Sequence, residues 1–294
     1  MGPAMGPAYF AELLRALGAL CAIAPPASGH ISAALGTAPM APAEHTRLFV
    51  LDLPPYASVY LSSDGRIGGE VAEAAAGMWR VLGLSPPAEP DHLSALLALY
   101  AELCHAGATC RTALARQRLR HASAALRAEH LDPWLGMYLY GASTYPGAKP
   151  WVELCRAALN AGPRPTGEPV LASSLRSAPT VLQPDADLGQ VLDSLVTPAR
   201  CGLLLTHRDL EVAGEEIGLG VRRSERRLAL RSMLEQDAEA TFVWLAGHAR
   251  AWSAAHLQNP IDPLCASWWS RRAAEAASAL GTLAARAARR RLCA

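Results

Sequence analysis

The chain has 294 residues, 51% of them hydrophobic and 18% charged, which is enough apolar content for a large core and too much for wholesale disorder. Its formal net charge of +1 gives no global electrostatic reason to bind nucleic acid or an acidic membrane surface. No run of 18 uncharged apolar residues occurs, so no membrane span is expected.

Helical periodicity runs through nearly the whole chain. Residues 8–24 carry an apolar stripe through Tyr9, Leu13, Ala16, Leu17 and Leu20, closed by Pro25-Pro26. Within it, ALGALCAIAPPASG (16–29) is similar to a short signal-peptide core. Its flank offers only Arg15, offset by Glu12, so an ordinary first helix is the reading. A loop rich in Gly, Ala and Pro follows, then the apolar EHTRLFVLDL (44–53), ended by Pro54-Pro55. YASVYLSSDGRIGG (56–69) alternates around a turn at Asp64-Gly65 and reads as a short hairpin or an extended loop. Helical spacing returns over 68–84 through Val71, Met78, Trp79 and Leu82, and stops at Gly83. Further helices are expected over 91–107, 109–129, 131–142 and 149–161.

Pro and Gly then cluster and periodicity fades, which divides the chain into 1–161, a linker or long loop over 162–186, and a helical region over 187–294. In that last region Thr197-Pro198 sets a capping oxygen ahead of a proline at the first helical position. Thr206-His207-Arg208-Asp209 has the form of a capping box, and Gly218 closes the helix it begins. Ser224 or Glu225 opens another helix to about Glu235, Asp237 caps a long one through His256, and a final helix spans 267–290. The fold class is all-α.

Catalytic and metal chemistry find little support. The nine histidines form no His-x-x-x-His or His-Glu-x-x-His pair, and the seven scattered cysteines fit no zinc spacing. An odd cysteine number without a Cys-x-x-Cys pair is expected of free thiols in a reducing compartment. There is no phosphate-binding Gly-x-x-x-x-Gly-Lys and no Gly-x-Ser-x-Gly, and Gly218-Leu219-Gly220 is too short for a dinucleotide fingerprint. Two stretches remain. Pro90-Asp91-His92 stands before a leucine stripe (Leu93, Leu96, Leu97, Tyr100, Leu103), where an aspartate serves a helix N-terminus; a small-molecule enzyme built on Asp91-His92 has no nucleophile beside it. Residues 206–234 have helix-turn-helix spacing with Arg222, Arg223, Arg226, Arg227 and Arg231, but interspersed carboxylates favour a solvated face of ion pairs over a DNA-reading helix.

The order of segments carries more than any one motif. AEHTRLF, LPPYASVYLSSDGRIGGE, EPDHLSALLALYAEL, EHLDPWLGMYLY and YPGAKPWVEL follow one another between 43 and 154 in a way that resembles the TorD/DmsD family of cytoplasmic chaperones. The resemblance implies a TorD-like helical bundle, here with an additional C-terminal helical region. It also implies a non-enzymatic function: binding the twin-arginine signal peptide of a molybdopterin-dependent oxidoreductase precursor until cofactor insertion and folding are complete. His45, Phe49, Tyr56, Gly69, Asp91 and His92 fall on positions that the family ties to peptide binding. The sequence departs at His45 and Tyr56, where relatives can carry tryptophan.

A signal peptide offers guanidinium groups followed by an apolar stretch, so its receptor needs carboxylates beside an aromatic groove. Phe49, Tyr56, Tyr60 and Trp79 are candidates for the groove, and Asp91 with Glu89, Asp52 or Glu70 for the negative rim. His130 and Trp134 match a second family block and read as structural. The resemblance further implies a monomer or domain-swapped homodimer and weak guanine-nucleotide binding, although no residue here forms a nucleotide motif. No resident cofactor, metal or nucleic-acid partner is expected.

Overall fold

The computed structural model describes residues 6–163, 168, 170–222 and 224–292. Among them the secondary structure is helical, and the one β-type pairing is an isolated antiparallel bridge between Tyr56 and His92. The chain forms two units. The first comprises residues 1–58 and 66–176; the second comprises 59–65 and 177–294. The centre of the expected linker (164–167 and 169) and Arg223 lie outside the described residues.

In the first unit, α1 (Pro7–Ala22) buries Phe10, Leu14, Leu17 and Cys21, the stretch with signal-peptide character included. Two short helices follow, α2 (Gly29–Ala34) and α3 (Pro42–Thr46), and a π-helical turn over Arg47–Asp52. Residues 56–69 form neither hairpin nor extended loop. They hold a short helix α4 (Ala57–Leu61), whose first residues belong to this unit, and then a bent return to Gly68. Alternation there is overridden by hydrogen bonds to a distant segment, described below. α5 (Gly69–Val81), α6 (Leu93–Thr109), α7 (Ala113–Leu126), a second π turn (Arg127–Leu131), α8 (Asp132–Ala142), α9 (Lys149–Ala161) and α10 (Ser173–Arg176) complete the unit.

The core of this unit is the α1–α6 pair, where Leu93, Leu96, Leu97 and Tyr100 are sealed from solvent. Gly18 makes the close approach possible: a Cβ there would stand 2.9 Å from Ser94 Cα. The π turn before α8 is fixed by a buried ion pair in which Arg127 Nε reaches both oxygens of Asp132 at 3.0 Å and Nη1 donates to Leu159 O at 2.6 Å. Trp134 is fully buried, with its indole N–H on His130 O at 2.8 Å, in keeping with the structural reading of that block.

In the second unit, segment 59–65 is tied in by Arg200, whose Nε donates to Ser63 O at 2.9 Å. α11 (Leu188–Leu195) opens with a capping box between Asp187 and Gln190. α12 (Pro198–Cys201) does start at the Thr197-Pro198 step, but the Thr197 hydroxyl makes no cap hydrogen bond. α13 (His207–Ile217) shows the expected Thr206–Asp209 box and left-handed Gly218; α14 (Arg226–Gln236) and α15 (Ala238–His256) follow, the latter capped by Asp237. α16 (Pro263–Leu292) begins earlier than periodicity implies, because Asp262 Oδ1 accepts the Cys265 N–H at 2.8 Å. α15 and α16 pack along their lengths around Trp252, His256, Trp269 and a run of alanines. No helix among the described residues is long and apolar enough to cross a membrane.

Candidate functional site

Two strands of backbone meet at Pro90-Asp91-His92, and each residue there has a different partner. α6 starts two residues later than expected, at Leu93, and its N-cap is His92: the Ser94 N–H donates to His92 Nδ1 at 3.1 Å, and Ser94 Oγ lies 2.7 Å from the same atom. Asp91 serves another helix. Its Oδ2 accepts the Ser58 N–H at 3.0 Å in the first turn of α4, while its carbonyl accepts the Ala57 N–H at 3.0 Å. Leu93 N–H donates back to Pro55 O at 2.8 Å, which completes the short antiparallel contact. Ser58, fully buried, in turn accepts the Gly68 N–H on its hydroxyl at 3.0 Å, and so draws in the loop before α5. Ser58 and Gly68 escape sequence reasoning because each partner is at least ten residues away.

The solvent side of this crossing is an aromatic and acidic corner. Tyr56 stands edge-to-face on the His92 ring, centroids 4.7 Å apart, and its hydroxyl donates to Glu89 Oε1 at 2.8 Å. Glu89 is exposed and Tyr56 is half-buried, whereas Asp91 is only 2% exposed. Burial, reinforced by the hydrogen bond to Glu89, pushes the Tyr56 phenol up to about 12. Burial lowers the His92 imidazole against the opposing pull of Glu89 and Asp91, and a neutral ring is what an accepting Nδ1 requires.

The other expected site residues lie elsewhere. His45 and Phe49 form a buried aromatic cluster with Trp151: His45–Phe49 centroids are 4.8 Å apart and Phe49–Trp151 5.3 Å. His45 Nε2 donates to Leu20 O at 3.1 Å, which leaves Nδ1 without a partner among the described residues. A cavity of about 30 Å³ adjoins them, bounded also by Met40 and Leu20. Tyr60 is 1% exposed and belongs to the segment grouped with the second unit. Gly69 is exposed at the start of α5 with φ +68°, and Trp79 is half-buried on that helix, its indole N–H without a partner among the described residues. Asp52 is not available as a rim: it is buried, and its carboxylate takes Arg47 Nε at 3.2 Å and the Tyr145 hydroxyl at 2.6 Å. The structure therefore brings together Tyr56, Glu89, Asp91 and His92, and separately His45 and Phe49.

The arginine-bearing segment of the second unit is internally engaged. Arg226 donates to Leu205 O at 2.9 Å, Arg227 pairs with Asp193 at 2.6 Å, and Arg231 pairs with Glu235 at 2.9 Å. No group of His, Cys, Asp and Glu among the described residues could hold a metal ion. The described cysteines are free, and burial pushes Cys21 and Cys201 up to about 12, which keeps those thiols protonated.

The first unit is thus all-helical among its described residues and carries a surface corner of aromatic and acidic side chains. Residues 10–139 match the family described as nitrate reductase delta subunit. That match, over less than half of the chain, supports a molybdoenzyme-maturation chaperone of the NarJ/TorD type. No curated protein matches the chain.

Proposed function

We propose that the first unit is a dedicated, non-catalytic chaperone surface for the twin-arginine signal peptide of a molybdopterin-dependent oxidoreductase precursor, acting in the cytoplasm before export. The supporting observation is the corner made by Glu89, Tyr56 and His92, which lies within the family span. Glu89 presents a carboxylate oxygen to solvent beside an aromatic face, the pairing that a guanidinium followed by an apolar segment requires. Asp91 acts beneath the corner by holding the crossing in shape. The second unit would extend the client surface or mediate self-association.

Titration calorimetry with synthetic twin-arginine peptides tests this reading, with the same peptides bearing Lys-Lys as controls. Binding is expected to prefer Arg-Arg, to weaken with salt, and to fall about two- to fivefold in Glu89→Gln, which keeps the Tyr56 hydrogen bond but removes the charge. Equal affinity for Arg-Arg and uncharged Gln-Gln peptides would dismiss it. A regulator that reads DNA through 206–234 is the contrasting outcome, and a gel shift lost on substitution of Arg226 and Arg227 would mark it.

A further inference from the structure

α7 carries a feature that the proposed function leaves unused. From Leu103 to Ala128 the chain has no acidic residue, yet it holds Arg111, Arg116, Arg118, Arg120 and Arg127. Of these, Arg127 is committed to Asp132. Arg116, Gln117, Arg120 and His121, with Ala113, Ala124 and Pro163, line an open cavity of about 410 Å³ on one side of α7. These positions repeat at i, i+3, i+4, i+7, i+8 and i+11, so they form one helical stripe. Arg116 spends one Nη on Cys110 O at 3.1 Å, while its Nε is buried and without a partner among the described residues. The Arg120 guanidinium and the His121 ring are exposed and make no ion pair or hydrogen bond among the described residues.

We infer that this groove is a docking site for an acidic, extended peptide segment of a protein partner, with carboxylates at alternate positions. Three features select that occupant. Side chains four apart on a helix stand about 5–6 Å from one another, and same-face residues of an extended chain repeat every ~6.6 Å, so Arg116 and Arg120 match carboxylates at i and i+2. The stripe from Ala113 to Ala124 runs about 16 Å, the length of roughly five extended residues and far longer than one phosphate. Between the two arginine positions Gln117 offers a donor and an acceptor, which suits a peptide backbone better than an anion. Nucleic acid fits less well, because the groove offers only the His121 ring to stack a base and few cations to displace counterions. A cationic signal peptide would be repelled here, so this groove and the Glu89 corner select opposite charges.

Fluorescence anisotropy of the full chain with an end-blocked peptide bearing glutamate at alternate positions is the test. An isomer with its glutamates contiguous, inorganic tripolyphosphate and a single-stranded oligonucleotide serve as competitors. The alternating peptide is expected to bind best, and Arg120→Glu to weaken it at least tenfold, in line with loss of a charged hydrogen bond. The same variant should leave twin-arginine peptide affinity unchanged, so a failed signal-peptide assay does not decide this one. Arg120→Lys should restore part of the binding. No binding of the alternating peptide, equal binding of its contiguous isomer, or tighter binding of tripolyphosphate or oligonucleotide would overturn the inference.

Discussion

Asp91 and His92 are adjacent in sequence but work for different helices. His92 closes the N-terminus of α6 through Nδ1, and Asp91 reaches 33 residues back to the first turn of α4. An aspartate before a leucine stripe is legible as a helix start, and the start lies where the sequence places it to within two residues. Which of the two side chains caps it is not legible, because the competing donor, the Ser58 N–H, is brought to Asp91 by the fold. The Ser58 N–H is fully buried, so Asp91→Ala should strand it and cost about 1–3 kcal/mol, measured by urea denaturation. Asp91→Asn keeps an acceptor oxygen and should cost less. If Asp91→Ala lost peptide binding at unchanged stability, the carboxylate would be acting on the ligand and this structural assignment would be wrong.

Several helix termini are readable from a partner three residues away, although the equally local caps at Asp187 and Asp262 escape the periodicity. Thr206 with Asp209, Gly218 and Asp237 all do what their local sequence implies. The other failures are non-local: the alternating pattern of 56–69 is bent by bonds to Asp91 and Gly68, and the π turns at 47–52 and 127–131 depend on Asp52 and Asp132 meeting arginines five residues earlier. The basic stripe on α7 was hidden for another reason, since whole-chain charge averages it away. Packing of elements makes its own prediction. Replacing a mid-helix glycine by alanine ordinarily favours the helix by about 1 kcal/mol, and Gly77 in α5 has open space around it, so Gly77→Ala should stabilise by up to that amount. Gly18→Ala instead presses a methyl group to 2.9 Å from the Ser94 backbone in a packed core, at a cost of about 1–3 kcal/mol, and the net effect should be destabilising. Thermal melts of the two variants should therefore shift in opposite directions.

At the scale of the whole molecule the family match ends at 139, while the second unit is built from 59–65 and 177–294 and has a core of its own. That core is pinned by a buried histidine. His256 Nε2 donates to Gly202 O at 2.7 Å, and its ring lies between Trp252 and Trp269 at centroid distances of 5.4 and 6.1 Å. Gly202 can present its carbonyl there because it adopts φ +70° with no Cβ; an added one would stand 2.5 Å from Ala273 N on α16. Burial lowers the His256 imidazole from 6.5 to about 4, which favours the neutral ring in the folded unit. The unfolded chain then binds the extra proton first as pH falls. Stability is fully present above 6.5 and is lost as pH drops toward 4, by roughly 3 kcal/mol at the lower limit. His256→Gln retains an N–H for Gly202 O without titrating, so its stability should vary less between pH 6.5 and 4.5 than that of the parent chain. Carboxylates that titrate in the same window contribute equally to both proteins, and the difference between their denaturation midpoints isolates His256. Parallel pH profiles for the two would show that the proton binds elsewhere in the second unit.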